Sequence, residues 1–171
     1  MVMYYSTKLF KTNYIPINPS VGSALVGLFN LVSSMGSFIL LEHFGRVTLI
    51  KVSGFIMGAT LIMLSLGDFC LQNDEKSYLV MFIFIFVIMF EYSIGPIAWL
   101  YMSEIMVDKG VAIGTTINWF MVIIVTLITP IVLDNTNYHL ISYMFIFYGV
   151  FCVLISVFGI TVMKETKGLT E

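Results

Sequence analysis

The chain has 171 residues, of which 59% are hydrophobic and only 11% charged, with a net charge of −2. A soluble domain usually carries about 25% charged residues to furnish its surface, and a mean hydropathy of +1.00 excludes that class. With no basic tract to follow a phosphate backbone, nucleic acid is excluded as a partner as well.

Residues 1–10 lack the cationic region and the small-residue cleavage site of a signal peptide. They are too few to cross a bilayer and read as a helix stub, the last turns of a helix whose beginning is missing. Five segments that follow are long and apolar enough to span, since a crossing takes about 20 residues at 1.5 Å rise each. They are residues 21–41, 48–69, 78–101, 112–133 and 139–163, joined by short polar connections. The expected fold class is therefore an all-α membrane protein with five full transmembrane helices and an N-terminal stub, and its expected surroundings are the lipid bilayer.

Lys and Arg near the span ends set orientation. Arg46, Lys51, Lys109, Lys164 and Lys167 gather on one side, against Lys8, Lys11 and Lys76 on the other. The bias puts the C-terminus in the cytoplasm. Small residues that let helices approach recur at Gly54 and Gly58 in the second span and at Gly22, Gly27, Ser33, Ser34, Gly36 and Ser37 in the first. They are packing signals and carry no message about substrate. Cys70 and Cys152 lack metal or redox spacing and read as small apolar fillers; no cofactor is expected.

Glu91 alone among the acidic residues sits deep within a span, ~20 Å along the third. A charge there costs at least ~2.5 kcal/mol on insertion scales, so such a residue faces a wet cavity or a partner. The bland alternative is a glutamate that only joins helices. Gly95 and Pro96 follow within the span. Pro96 has no N–H for the carbonyl of Tyr92 and its ring crowds that carbonyl, so a helix break is expected just after the glutamate. Broken helices near the midplane are where transporters expose polar groups to substrate. Asn30 in the first span and Asn118 in the fourth offer amides that suit a polyhydroxylated ligand or, equally, a helix-to-helix hydrogen bond. Trp99, taken alone, is better read as an interfacial belt residue than as a sugar platform.

Residues 90–99, F-E-Y-S-I-G-P-I-A-W, resemble the F-E-x-G-P-G-P-I-P-W motif of the sugar porter family, the glucose-transporter-like branch of the major facilitator superfamily. Ser93, Ile94 and Ala98 depart from it. Glu104, five positions after Trp99, matches a family acid. Residues 42–46, E-H-F-G-R, resemble the family's [DE]-R-x-G-R loop with His43 in place of the first basic residue and Val47 in place of the last. Residues 164–168, K-E-T-K-G, are similar to P-E-T-K-G, and Asn118-Trp119 matches an N-W pair. Tyr4 to Thr7 resemble the end of the family's seventh helix. The resemblance implies that residues 1–171 form a partial C-terminal six-helix half of a major facilitator transporter. It implies hexose contacts for Asn30, Glu91 and Trp99, with Asn118 on the same cavity wall. It also implies a cytoplasmic charge network of Glu42, Arg46 and Glu104 that clasps the two halves. The family's arginine after Glu104 is missing, and Lys109 is the nearby stand-in.

Two functions follow as expectations. One is transport of a sugar, a hexose by the resemblance, by alternating access in the plasma membrane; it needs an N-terminal half or another copy as partner. The other is a non-transporting half that binds and regulates a full-length relative. An intramembrane enzyme fails on inventory, because His43 and His139 both lie at span ends and no metal motif exists.

Overall fold

A computed structural model describes residues 18–70, 79–134 and 139–168, and every regular element among them is an α-helix. In chain order these are α1 (Pro19–His43), α2 (Arg46–Cys70), α3 (Leu79–Tyr92), α4 (Ile94–Ile105), α5 (Asp108–Asp134) and α6 (His139–Thr161). The expected stub at residues 1–10 lies outside the described residues. Five stretches are long and apolar enough to cross a membrane: Ser20–His43, Arg46–Gly67, Met81–Ile105, Asp108–Val132 and Ser142–Thr161. The third of them is α3 and α4 together. The protein is a multi-pass integral membrane protein.

The helices reach beyond the apolar runs because hydrocarbon offers their backbone no partner, so the ladder continues until a cap or water can serve it. α1 starts at Pro19, whose missing N–H is of no consequence in a first turn, and Asn18 caps it by accepting from Ser20 N at 3.1 Å. Phe44, extended at φ −105 and ψ 135, ends α1. Only Phe44 and Gly45 separate it from α2.

The third span is broken at one residue. Ser93 leaves helical geometry (φ −138, ψ −85), and its N–H turns back to the Phe90 carbonyl at 3.3 Å. The Ser93 side chain is fully buried, and its hydroxyl donates to Met89 O at 2.9 Å. Helix resumes when Ile97 N donates to Ser93 O at 2.9 Å. Gly95 and Pro96 thus occupy the first turn of α4, where proline's missing N–H leaves no bond unmade.

Three helix pairs, α2–α6, α2–α3 and α1–α3, hold the bundle. α2 and α6 run antiparallel along a seam of small residues. The Ser156 hydroxyl crosses it to Lys51 O at 3.0 Å. α1 and α3 run parallel, with Phe29 against Phe84 at 4.8 Å between ring centroids. The main apolar core lies among Val26, Met57, Leu61, Ile83, Val87 and Phe145. A second cluster, Leu41, Ile50 and Ile97, sits at the end that carries the α1–α2 turn. Outside, large apolar side chains stand open, Phe38 at 68% and Leu127 at 64%. A surface of that kind is stable only with lipid as its solvent.

The α2–α6 seam admits almost no added volume. A Cβ on Gly58 would lie 2.6 Å from Val153 Cγ2 and 3.0 Å from the Gly149 carbonyl. Gly58→Ala is expected to destabilise the bundle by about 1–3 kcal/mol through overpacking, read as a lower midpoint of thermal unfolding in detergent. Val153→Ala in that background should restore part of the loss, because the Gly149 carbonyl would still crowd the methyl group. An unchanged midpoint for Gly58→Ala would refute a tight seam.

Candidate functional site

α1 and α3 bring one polar pair together in mid-membrane. The Asn30 amide donates to Glu91 Oε1, and both residues are partly buried. Asn30 lies eleven residues into α1, or ~17 Å, and Glu91 twelve residues into α3, or ~18 Å. Both depths fall in hydrocarbon. The other carboxylate oxygen points along the break: a Cβ on Gly95 would sit 3.6 Å from Glu91 Oε2. The same Cβ would sit 3.3 Å from the Phe90 carbonyl and 3.4 Å from its ring, so the narrow space at Gly95 is bounded by Phe90 and the carboxylate together. Ser93 interrupts the helix between the two, so the ladder is locally open beside a polar side chain.

Trp99 and Asn118 do not join this pair. Trp99, on α4, is 43% exposed, and Asn118 is exposed on α5. Neither makes a hydrogen bond among the described residues. α5 presents large side chains to the outside on every flank, among them Ile117, Trp119, Phe120, Met121 and Ile123. The four residues expected at a ligand thus form one bonded pair and two free side chains.

A second polar cluster occupies the end with the α1–α2 and α4–α5 turns. Arg46 Nη2 meets Glu104 Oε1 at 2.7 Å, with 15% and 8% of the two side chains exposed. The Thr166 hydroxyl donates to the second oxygen of Glu104. Among the described residues, Glu42 makes no ion pair and is exposed, and Lys109 likewise makes none. The expected network therefore contains Arg46 and Glu104 here, without Glu42.

The tail beyond α6 contributes what sequence reasoning missed. α2 has no acidic residue in its first turn and takes its cap from far along the chain. Glu165 accepts from Arg46 N at 2.9 Å and from Val47 N at 3.1 Å. A carboxylate there satisfies two orphan donors and meets the positive end of the helix dipole. Lys167 Nζ donates to the His43 carbonyl at 2.9 Å, sealing the C-terminus of α1. Lys164 N donates to the Tyr101 hydroxyl at 3.2 Å. The strap thus ties α1, α2 and α4. The signal available in the sequence is the K-E-T-K-G run at residues 164–168, which names no partner for itself.

Gly45 makes that strap possible, since a Cβ there would fall 2.1 Å from Glu165 Oε2. Gly45→Val is expected to push the carboxylate off α2 and cost about 1–2 kcal/mol, the value of a lost N-terminal cap. Thermal unfolding should show Glu165→Ala lowering the midpoint by a similar amount, and the two changes together should not add. Additive losses would mean that Gly45 and Glu165 act separately.

Comparison with known proteins agrees with this architecture. The family model described as "Sugar (and other) transporter" matches residues 1–171. The "Facilitated trehalose transporter Tret1" of Bombyx mori is 27% identical over 176 residues, covering 98% of this chain and 34% of that protein. Its namesake from Culex quinquefasciatus is 29% identical over 178 residues, with the same 98% and 34%. The chain spans about a third of the length of these relatives. Among solved structures, a D-xylose-proton symporter superposes with a TM-score of 0.83 at 24% identity, covering 98% of this chain and 39% of that one. An inward open conformation of the xylose transporter XylE from E. coli gives 0.75 at 22%, covering 97% and 38%. These neighbours share the fold of the major facilitator superfamily, and the match along the whole sequence identifies the chain as a member of the sugar (and other) transporter family.

Proposed function

We propose that the chain forms the C-terminal half of a sugar transporter and works by alternating access against an N-terminal half. The observation that carries this reading is the Asn30–Glu91 hydrogen bond beside the Ser93 break at mid-membrane depth. Polar side chains at an interrupted helix are what a membrane offers a polyhydroxylated ligand. The substrate is a hexose or a sugar built from hexose units; the relatives' names favour the latter. Glu91 and Asn30 accept from and donate to sugar hydroxyls, Gly95 and Pro96 keep the break open, and Trp99 and Asn118 complete the wall once the partner half is in place. The exposed flank of α5 supports a partner on that side. The strap, with Arg46, Lys109, Lys164 and Lys167 around it, lies on the cytoplasmic side, in keeping with the charge bias. There Arg46 and Glu104 clasp the cytoplasmic end while the transporter faces outward. Plasma membrane is the proposed location.

Radiolabelled glucose and trehalose uptake in transporter-null cells tests this. The cells would express the chain alone, with a separately made N-terminal half, and beside a full-length relative. Uptake that requires the second half supports a split transporter. No uptake by the chain alone or with the N-terminal half, with the chain in the membrane, sinks it. A fall in the relative's flux would instead favour a regulatory half.

A further inference from the structure

Behind the break lies a cavity of about 270 Å³ that the sugar reading does not use. It is lined by α2, α3, α5 and α6 and by Ile94, the first residue of α4, and is open on one side. α3 separates it from the Asn30–Glu91 pair. Phe86 and Phe90, which line the cavity, are stacked with ring centroids 6.5 Å apart. At 100° per residue they point away from the face that carries Phe84 and Glu91. One face of the broken span thus meets polar groups, and the other meets this space.

The floor is apolar and deep. Met57 and Leu61 are 2% exposed, Phe145 5% and Cys152 8%. The lining has only two side-chain polar groups, the Tyr148 hydroxyl and the Cys152 thiol. The mouth is rimmed by Phe90, Phe151 and Ile155, all more than a third exposed and all apolar. Met57 lies eleven residues, or ~17 Å, into α2, so the cavity opens at hydrocarbon depth. Apolar cavities of this type exclude water and take up hydrocarbon. At about 30 Å³ for each water-sized group, the space admits roughly nine. That is a stretch of acyl chain, far less than a whole lipid.

We propose that this cavity is a binding site for the end of a lipid acyl chain, which packs against Phe86, Phe90 and Ile94 and braces the break from the side opposite the polar pair. The solvent around the rim is itself made of such chains, so the occupant is always at hand. An empty cavity would deprive its lining of packing contacts. The site needs neither sugar nor a partner half.

The test places the full chain in phosphatidylcholine vesicles containing a phospholipid with a diazirine near the end of one acyl chain. After irradiation, adducts are located by mass spectrometry. Floor residues Met57, Leu61 and Phe145 should label to a level comparable with Phe158, a 52% exposed control on the outer face. Two variants fill the space from opposite walls, Cys152→Met and Val125→Phe. Either should reduce floor labelling at least about fivefold while Phe158 labels as before, since a packed core leaves no room for a chain. Floor labelling below about a tenth of Phe158 in the unaltered protein would overturn the proposal, meaning that protein, such as a second copy, covers the mouth. Labelling unchanged by both variants would overturn it equally.

Discussion

Glu91→Ala, expressed with the partner half, is expected to lower sugar uptake on the order of 100-fold while the chain still reaches the membrane. The magnitude follows from what the carboxylate holds. Its Oε1 accepts from Asn30, and on the proposed function its Oε2, near Gly95, accepts from a sugar hydroxyl. Losing two hydrogen bonds to a charged group, one to Asn30 and one to the sugar, at about 1.5 kcal/mol each amounts to roughly two decades in rate. Glutamine keeps an acceptor and nearly the same shape, so Glu91→Gln should lose only about tenfold. Asn30→Ala, which removes the tether and leaves the carboxylate, should raise KM more than it lowers the maximal rate, because the acceptor is still present but no longer held. Wild-type uptake in Glu91→Ala would reduce the pair to a joint between α1 and α3.

That pair shows how far one dimension of information reaches. Glu91 and Asn30 were legible separately, each as a polar residue where hydrocarbon tolerates few. Their mutual bond was not, because sixty-one positions separate them and only the parallel packing of α1 and α3 makes them meet. The spans were legible for a simpler reason, namely that apolar length alone decides what can cross. The break was legible in place: Pro96 announces it, and the departure from helix falls at Ser93, two residues past Glu91 and three before the proline. Proline disturbs the preceding turn rather than its own position, and the chain restarts its helix so that proline lands in a first turn.

The strap was the least legible feature. Nothing in the neighbourhood of Arg46 and Val47 says that Glu165, well over a hundred positions away, will cap them. An absence was the only local hint: α2 opens with no acid in its first turn. Trp99 and Asn118 illustrate the converse. Residue type and position singled them out, but the described helices leave both exposed, apart from the Asn30–Glu91 pair.

Glu104→Ala should lower stability by about 3 kcal/mol, the largest loss expected from any single side chain at the strap end. Arg46 is 15% exposed, and its Nε is buried without a hydrogen-bond partner, so Glu104 is its counter-charge. Removing the acid strands a guanidinium in a nearly closed site and frees the Thr166 hydroxyl as well. Thr166→Val, which spares the ion pair, should lose about 1 kcal/mol, the net value of one hydrogen bond. Arg46→Met with Glu104→Leu should recover most of the loss, since apolar replacement of both partners is often neutral or better. Thermal unfolding of the single variants and the pair measures this coupling directly; if the pair is no more stable than Glu104→Ala, desolvation of Arg46 is not the cause. Uptake then separates folding from mechanism. A double variant that is stable yet transports poorly is the result expected from the proposed clasp, because a contact that cannot form and break by charge would no longer balance the two ends of the cycle. A double variant that is both stable and active would confine Arg46 and Glu104 to holding the bundle together.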